Sequence, residues 1–343
     1  MRIILNKIGQ TGRTIVQKTL SKRTLMRLAL VQAGLILALA GSVSGQAAEP
    51  LKEIRIDWAT YNPVSLVLKD QKLLEKEFEK DGIAIKWVQS AGSNKALEFL
   101  NAGSLDLGST AGAAALIGKI NGNPIKSIYV YSRPEWTALV TKSDAIQTVA
   151  DLKGKRVAVT RGTDPHIFLV RTLAAAGLTE KDVKLVLLQH ADGRTALERG
   201  DVEAWAGLDP IMASAEVESG ARLFYRKAAD NTWGVLNVRE AFAQDYPQIV
   251  KRVLTTYEKA RIWSLANPKE LSKSLIEATK LSDAVIAKQL ERTELTHGPI
   301  GVAQADTILA AGLALQEAGV VKTDVDVKGV VKALIDSSYL PAK

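Results

Sequence analysis

Two distant stretches of this chain follow one plan, and that repetition limits the fold more than any other feature. The first is LNAGSLDLGST, Leu100 to Thr110, and the second is LERGDVEAWAGLD, Leu197 to Asp209. Each copy carries Ala-Leu-Glu on a helical segment (Ala96-Leu97-Glu98 and Ala196-Leu197-Glu198) and then a glycine, Gly103 or Gly200. An acidic residue, Asp106 or Glu203, then enters a short apolar strand. A glycine just past a helix supplies the left-handed turn that ends it, so both stretches read as helix, stop, strand. The glycine-to-acid spacing differs between the copies. The reading is therefore pseudo-symmetry, with two α/β units written one after the other.

The flanking segments fit that plan. EIRIDWA, from Glu53, alternates as a strand does, and a following helix places Leu66, Leu73, Leu74 and Phe78 near one face before Gly82. IAIKWV, SLDLGS and PIKSIYVY read as further strands, with NKALEFLNAG as a helix among them. The series restarts with a strand at 156–160, a helix at 165–176, a strand at 184–188, a helix at 192–199, a strand at 203–206 and a helix at 210–219. GVLNV, 234–238, reads as a return strand, and amphipathic helices follow from Pro247. Cuts near Lys142 and Arg239 divide the chain into residues 49–142 plus 239–343 as one lobe and 143–238 as the other. Two crossings between lobes predict a hinge.

Charge and composition exclude several functions. The net charge of +8 is concentrated at the start: residues 1–48 hold seven Lys or Arg and no acid, which leaves 38 basic against 37 acidic residues beyond them. No patch suited to a nucleic-acid backbone follows from that balance. The basic segment, the apolar run LALVQAGLILALAG and the small residues Gly45 and Ala47 form an export signal with a cut near Ala48. SKRTLMR comes near a twin-arginine signal, so the general secretory and twin-arginine routes both stay open. No cysteine is present, which removes thiolate metal sites and thiol catalysis, and the three histidines lack metal-ligand spacing. Neither G-x-S-x-G, H-E-x-x-H nor a Walker phosphate loop occurs, so the expectation is a non-enzyme without cofactor or metal.

Ligands of doubly wound sheets bind beyond the carboxyl ends of strands, where helix N-termini present free N–H groups. Four such mouths are rich in small polar residues: Tyr61 to Ser65, Ser93-Asn94, Ser109-Thr110 and Gly162-Thr163-Asp164. Each of these residue types also serves as an ordinary helix cap. Arg133 follows a strand near a crossing, where it offers a bidentate charge to an oxyanion or pairs with Glu135 or another hinge carboxylate. Trp136 and Trp233 read as pocket walls or as core, and Asp209 as a helix cap.

Taken together, LNAGSLDLGST, VADLKGKRVAV, the RGTDPH loop and DVEAWAGLDP resemble periplasmic solute-binding proteins of the aliphatic sulfonate, nitrate and taurine type. The resemblance runs from about Leu51 to Tyr339 and is greatest to the sulfonate branch. It implies a two-lobed α/β periplasmic binding protein fold of type II, each lobe a mixed sheet flanked by helices. The implied function is capture of a small organosulfonate, as a monomer, for the permease of an ATP-driven importer in the membrane. Nitrate, taurine or another small anion on the same fold is the alternative, as is an enzyme like thiamine-pyrimidine synthases or a precursor-binding protein. Asn62, Ser65, Ser93, Ser109 and Thr110 match the family's first-lobe ligand turns. Gly162, Thr163 and His166 match its second-lobe loop, and Arg133 joins them as the charged candidate. Two departures stand out: Asp164-Pro165 replaces hydroxyl residues, and Leu208 stands where an aromatic precedes Asp-Pro.

Overall fold

The computed structural model describes residues 50–295 and 298–340. The expected export signal at 1–48 and His297 lie outside the described residues. The first part of the chain forms β1 (Glu53–Trp58), α1 (Pro63–Asp70), α2 (Leu73–Phe78), β2 (Ala84–Gln89), α3 (Ser93–Asn101), β3 (Leu107–Ala111), α4 (Gly112–Ile120) and β4 (Ile125–Pro134). Next come β5 (Leu139–Thr141), β6 (Arg156–Val159), α5 (Asp164–Ala175), β7 (Lys184–Leu187), α6 (His190–Arg199), β8 (Ala204–Ala206), α7 (Ile211–Ser219) and β9 (Arg222–Tyr225). The chain returns through β10 (Gly234–Arg239), α8 (Glu240–Asp245), α9 (Pro247–Ala266), α10 (Pro268–Thr279), α11 (Asp283–Glu291), β11 (Thr293–Glu294), α12 (Val302–Glu317) and α13 (Val327–Leu334).

These strands make two mixed sheets, ordered β11-β4-β10-β3-β1-β2 and β7-β6-β8-β5-β9. In the first, β1 runs parallel to β2 and β3, and β10 runs antiparallel to β3 and β4. In the second, β6 runs parallel to β7 and β8, and β5 runs antiparallel to β8 and β9. Apart from the edge strand β11, the two sheets share one topology. The antiparallel partner of β3 is β10, which follows the second lobe in the chain, and the partner of β8 is β5, which precedes that lobe's parallel strands.

The crossings therefore fall earlier than the expected cuts near Lys142 and Arg239. Leu139 pairs with Ala206, so β5 already belongs to the second sheet, and Leu236 pairs with Ser109, so β10 belongs to the first. Residues 135–138 and 226–233 carry the chain between sheets. Composition alone does not show this, because strand membership depends on the partner and β5 is only three residues long.

Period-two alternation builds the core of the second lobe. Leu139, Val157, Val159, Ala204 and Ala206 face one side with Phe168 and Leu169 of α5. Val140, Ala158 and Trp205 face the other side with Leu197 of α6 and Met212 of α7. The first lobe's core extends across the boundary to take in Ile167, Val170 and Leu208. Leu208, which lacks the aromatic ring of the related pattern, is thus a buried apolar contact between lobes.

The repeated stretches fall on equivalent places, the turn into β3 and the turn into β8. Gly103 and Gly200 adopt φ values of +69° and +78°, the left-handed stop. In the first copy the Asp106 N–H donates to the Arg55 carbonyl of β1 (2.8 Å), and the Asp106 carboxylate accepts from the Arg55 backbone N–H (2.9 Å) and guanidinium (2.7 and 3.0 Å). Arg55 also donates to the Gly103 carbonyl. In the second copy Glu203 holds Arg156 of β6 by the same set, and Arg156 reaches the Gly200 carbonyl. The acid thus clamps the central strand of its sheet to the next parallel strand, at the end away from the helix N-termini.

Candidate functional site

The carboxyl ends of the parallel strands open onto helix N-termini, and three of these meet between the lobes. α3 of the first lobe begins after Gly92, α5 of the second after Thr163 and α6 of the second after Gln189, none with a side-chain cap. His190, the first residue of α6, lies against Gly92: a Cβ built on that glycine would sit 2.9 Å from His190 Nε2 and 2.9 Å from Asn94 Oδ1. The φ of Gly92 is extended, so the absent side chain serves this close approach and no special backbone geometry. Gly162, before α5, faces the Asn94 side chain. Helix N-termini carry partial positive charge and unpaired N–H groups, so three converging there form an anion-attracting junction.

Asn94 Oδ1, Gln189 Oε1 and His190 Nε2 are buried without a hydrogen-bond partner within the protein. Buried polar atoms are normally paired, and three unpaired acceptor positions on adjoining helix starts mark a surface shaped for something else. Burial drives the His190 pKa down from 6.5 to about 3, so its ring is neutral. A cavity of about 590 Å³ lies beside the junction, lined in part by Arg161, Gly162, His166 and Ile167, with Ile117 and Ile120 of α4.

The residues expected from the sequence divide into two groups. Gly162 and Thr163 form the turn into α5 at the junction, and Ser93 opens α3. The Thr163 hydroxyl donates to the Thr160 carbonyl (2.6 Å), and Ser93 Oγ accepts from the Ala111 N–H (3.0 Å). Asn62, Ser65 and Ser109 instead form a buried network. Asn62 donates to Ser109 Oγ (2.8 Å) and to the Tyr257 hydroxyl (2.7 Å), and its Oδ1 accepts from the Ser65 N–H (3.3 Å). Ser109 donates its N–H and its hydroxyl to Asp57, all at 2.9 Å. Burial pushes the Asp57 carboxyl up to about 6, against the opposing effect of the Ser109 donors and Ser90. Thr110 Oγ1 accepts from Asn237 (2.8 Å) inside the first sheet.

His166 bonds to Glu180 within the second lobe (2.9 Å) while lining the cavity. Arg133 is exposed and stacks 5.2 Å from the Trp233 ring centre. Glu135, expected as its partner, is held instead by Arg226 through two hydrogen bonds of 2.9 and 2.6 Å. That pair joins one interlobe crossing to the other.

Asp164 has a role its sequence position did not suggest. It is buried, and its carboxylate accepts from Trp136 Nε1 (2.8 Å) on the first crossing. From the second crossing it accepts the Thr232 N–H (3.0 Å) and hydroxyl (2.7 Å). Thr232 Oγ1 in turn accepts from the Ala113 N–H at the start of α4 (3.2 Å). The acid that replaces a hydroxyl residue therefore fastens α5 to both crossings. Its pKa is raised by burial, opposed by those donors. Asp209 accepts from the Ala213 N–H (2.9 Å), as a helix-capping residue does, and faces the buried guanidinium of Arg292 at 3.4 Å.

His190 and Gly92 are the residues that sequence reading missed. The helix expected from Asp192 begins at His190, because no Ser, Thr, Asn or Asp stands at its N-cap to mark the start. One available signal was the glycine ahead of α3, where strand-to-helix turns bring a ligand near the backbone.

Residues 77–271 match the family described as NMT1/THI5 like. The chain is 32% identical over 275 residues to an aliphatic sulfonates-binding protein of Escherichia coli K12, covering 77% of this chain and 85% of that protein. It is 28% identical over 319 residues to one of Bacillus subtilis 168, covering 91% and 95%. In structure it is similar to the alkanesulfonate-binding protein of Xanthomonas axonopodis pv. citri bound to MOPS. That match has a TM-score of 0.77 and 26% identity, and covers 85% of this chain and all of that one.

Proposed function

The chain belongs to the NMT1/THI5-like family, and we propose that it is the exported binding component of an importer for small organosulfonates. The observation that carries this reading is the meeting of three uncapped helix N-termini from two lobes, with unpartnered buried acceptors among them. A sulfonate is a permanent anion near neutral pH. Neutral N–H donors and helix ends, each contributing on the order of 0.3–1 kcal/mol, can hold it without a full counter-charge. Ile117, Ile120 and Ile167 along the adjoining cavity suit an organic tail. The two crossings supply a hinge, so that ligand contacts on both lobes favour the closed form.

The sulfonate-binding names of the relatives support the binding role, and location in the periplasm with delivery to a membrane permease completes the proposal. Gly162, Thr163 and the α3 start containing Ser93 are the expected residues nearest the junction. Asn62, Ser65, Ser109 and Thr110 act on this reading as the support beneath it. Isothermal titration of the protein without residues 1–48 tests the assignment. Short alkanesulfonates should bind in the micromolar range or tighter while nitrate does not. Binding of nitrate alone refutes the reading.

A further inference from the structure

The junction selects for more than an anion. His190 is 1% exposed, and its two ring nitrogens have different surroundings. Nδ1 lies 3.2 Å from Thr160 Oγ1, while Nε2 has no partner. The Thr160 hydroxyl has one hydrogen, and it lies 2.7 Å from the Leu188 carbonyl, the closer acceptor. With that hydrogen committed, Thr160 Oγ1 can only accept from the imidazole. The ring proton is therefore on Nδ1, and Nε2 presents a bare lone pair.

Nε2 lies against Gly92, and Asn94 Oδ1, also without a partner, lies equally near the place of that glycine's absent Cβ. Protonating the ring would place a cation in a buried position at the positive ends of α3 and α6, which keeps it an acceptor. Two acceptors beside an anion-attracting junction are wasted on a plain alkyl chain and repel a second anionic oxygen.

We propose that His190 and Asn94 form a specificity subsite for a hydrogen-bond donor on the ligand's carbon chain, so that the preferred ligand is a short hydroxy-substituted sulfonate. This rests on the organosulfonate reading above and narrows it. A hydroxyl satisfies the acceptors without adding charge. An ammonium group also donates, but it brings positive charge to three helix N-termini and binds less well. Thr160 acts through His190 as a positioning residue, because it fixes which nitrogen is bare.

Titration of the protein without residues 1–48 with ethanesulfonate, 2-hydroxyethanesulfonate and 2-aminoethanesulfonate tests the subsite. The hydroxyl compound is expected to bind about tenfold more tightly than ethanesulfonate, the yield of one buried hydrogen bond. His190→Leu should bring that ratio to about one, the two affinities being compared within the variant. Long-range proton–nitrogen spectra of the side chain, which need no ligand, should show the His190 proton on Nδ1 in the wild type, with Thr160→Val shifting it towards Nε2. Equal affinities for the hydroxyl and plain compounds, a preference for the amino compound alone, or a proton on Nε2 in the wild type overturns the inference. If ethanesulfonate binds and the ratio is one, only the subsite falls. If no sulfonate binds, the functional reading falls with it.

Discussion

The two clamps at the turns into β3 and β8 have the same hydrogen bonds but different surroundings. The Asp106 side chain is 1% exposed and also receives Arg239 of β10 at 2.9 Å, so one carboxylate joins three strands of the first sheet. The Glu203 side chain is 31% exposed and holds Arg156, itself 45% exposed, joining two strands. The interiors differ as well. Counting outward from the clamps, Asp57 and Ser109 of the first sheet correspond to Ala158 and Ala206 of the second. The same backbone plan thus carries buried polar side chains at these two positions in one lobe and alanines in the other. A fold sets where strands and helices go, and leaves the means of fixing them free.

The largest expected effect breaks the symmetry of the clamps. Asp106→Asn removes the buried carboxylate that Arg55 and Arg239 share, leaving Arg55 only the more distant Glu53 at 3.9 Å, and should cost about 3 kcal/mol in chemical denaturation. Glu203→Gln, at an exposed pair, should give a denaturation curve hard to tell from wild type. Comparable losses in the two variants would show that the clamps are equivalent after all.

A middle effect concerns the fastening between lobes. Asp164→Ala removes the acceptor of Trp136 and of Thr232 together, and it should cost about 2 kcal/mol of stability. Sulfonate affinity should fall too, because α5 loses its tie to both crossings. Unchanged affinity would limit Asp164 to a purely stabilising role.

The remaining effect is the share of the pH dependence that Asp57 of the first lobe contributes. The folded Asp57 value of about 6 lies above its ordinary value of 3.8, so the native form holds that proton more tightly than the unfolded chain. Its contribution is therefore greatest below about pH 4 and is lost as pH rises to about 6. Melting temperatures of Asp57→Asn and wild type, compared across that window, should converge at the acid end and part in favour of the variant as pH rises. Parallel curves would contradict the assignment.

Much of the architecture could be read from the chain because local rules settle it. Gly103 and Gly200 end helices through their own φ, and the alternation in EIRIDW and RVAV needs no distant partner to identify a strand. Strand exchange was not legible, because LVT at 139–141 carries no mark of which sheet will take it. In the site, small polar residues located the right mouths but not their use. Ser109 and Asn62 look the same in sequence whether they face a ligand or Asp57. His190 was hidden for a different reason: its importance comes from a contact across lobes with a glycine that offers no side chain.

The strand exchange also sets an order of assembly. Residues 139–225 contain every strand of the second sheet, so that lobe can close without a strand from elsewhere in the chain. The first sheet begins forming at Glu53 but cannot join β3 to β4 until Gly234–Arg239 arrives between them. A chain made from its N-terminus thus completes its later lobe first. The earlier lobe holds an open seam until the returning strand fills it.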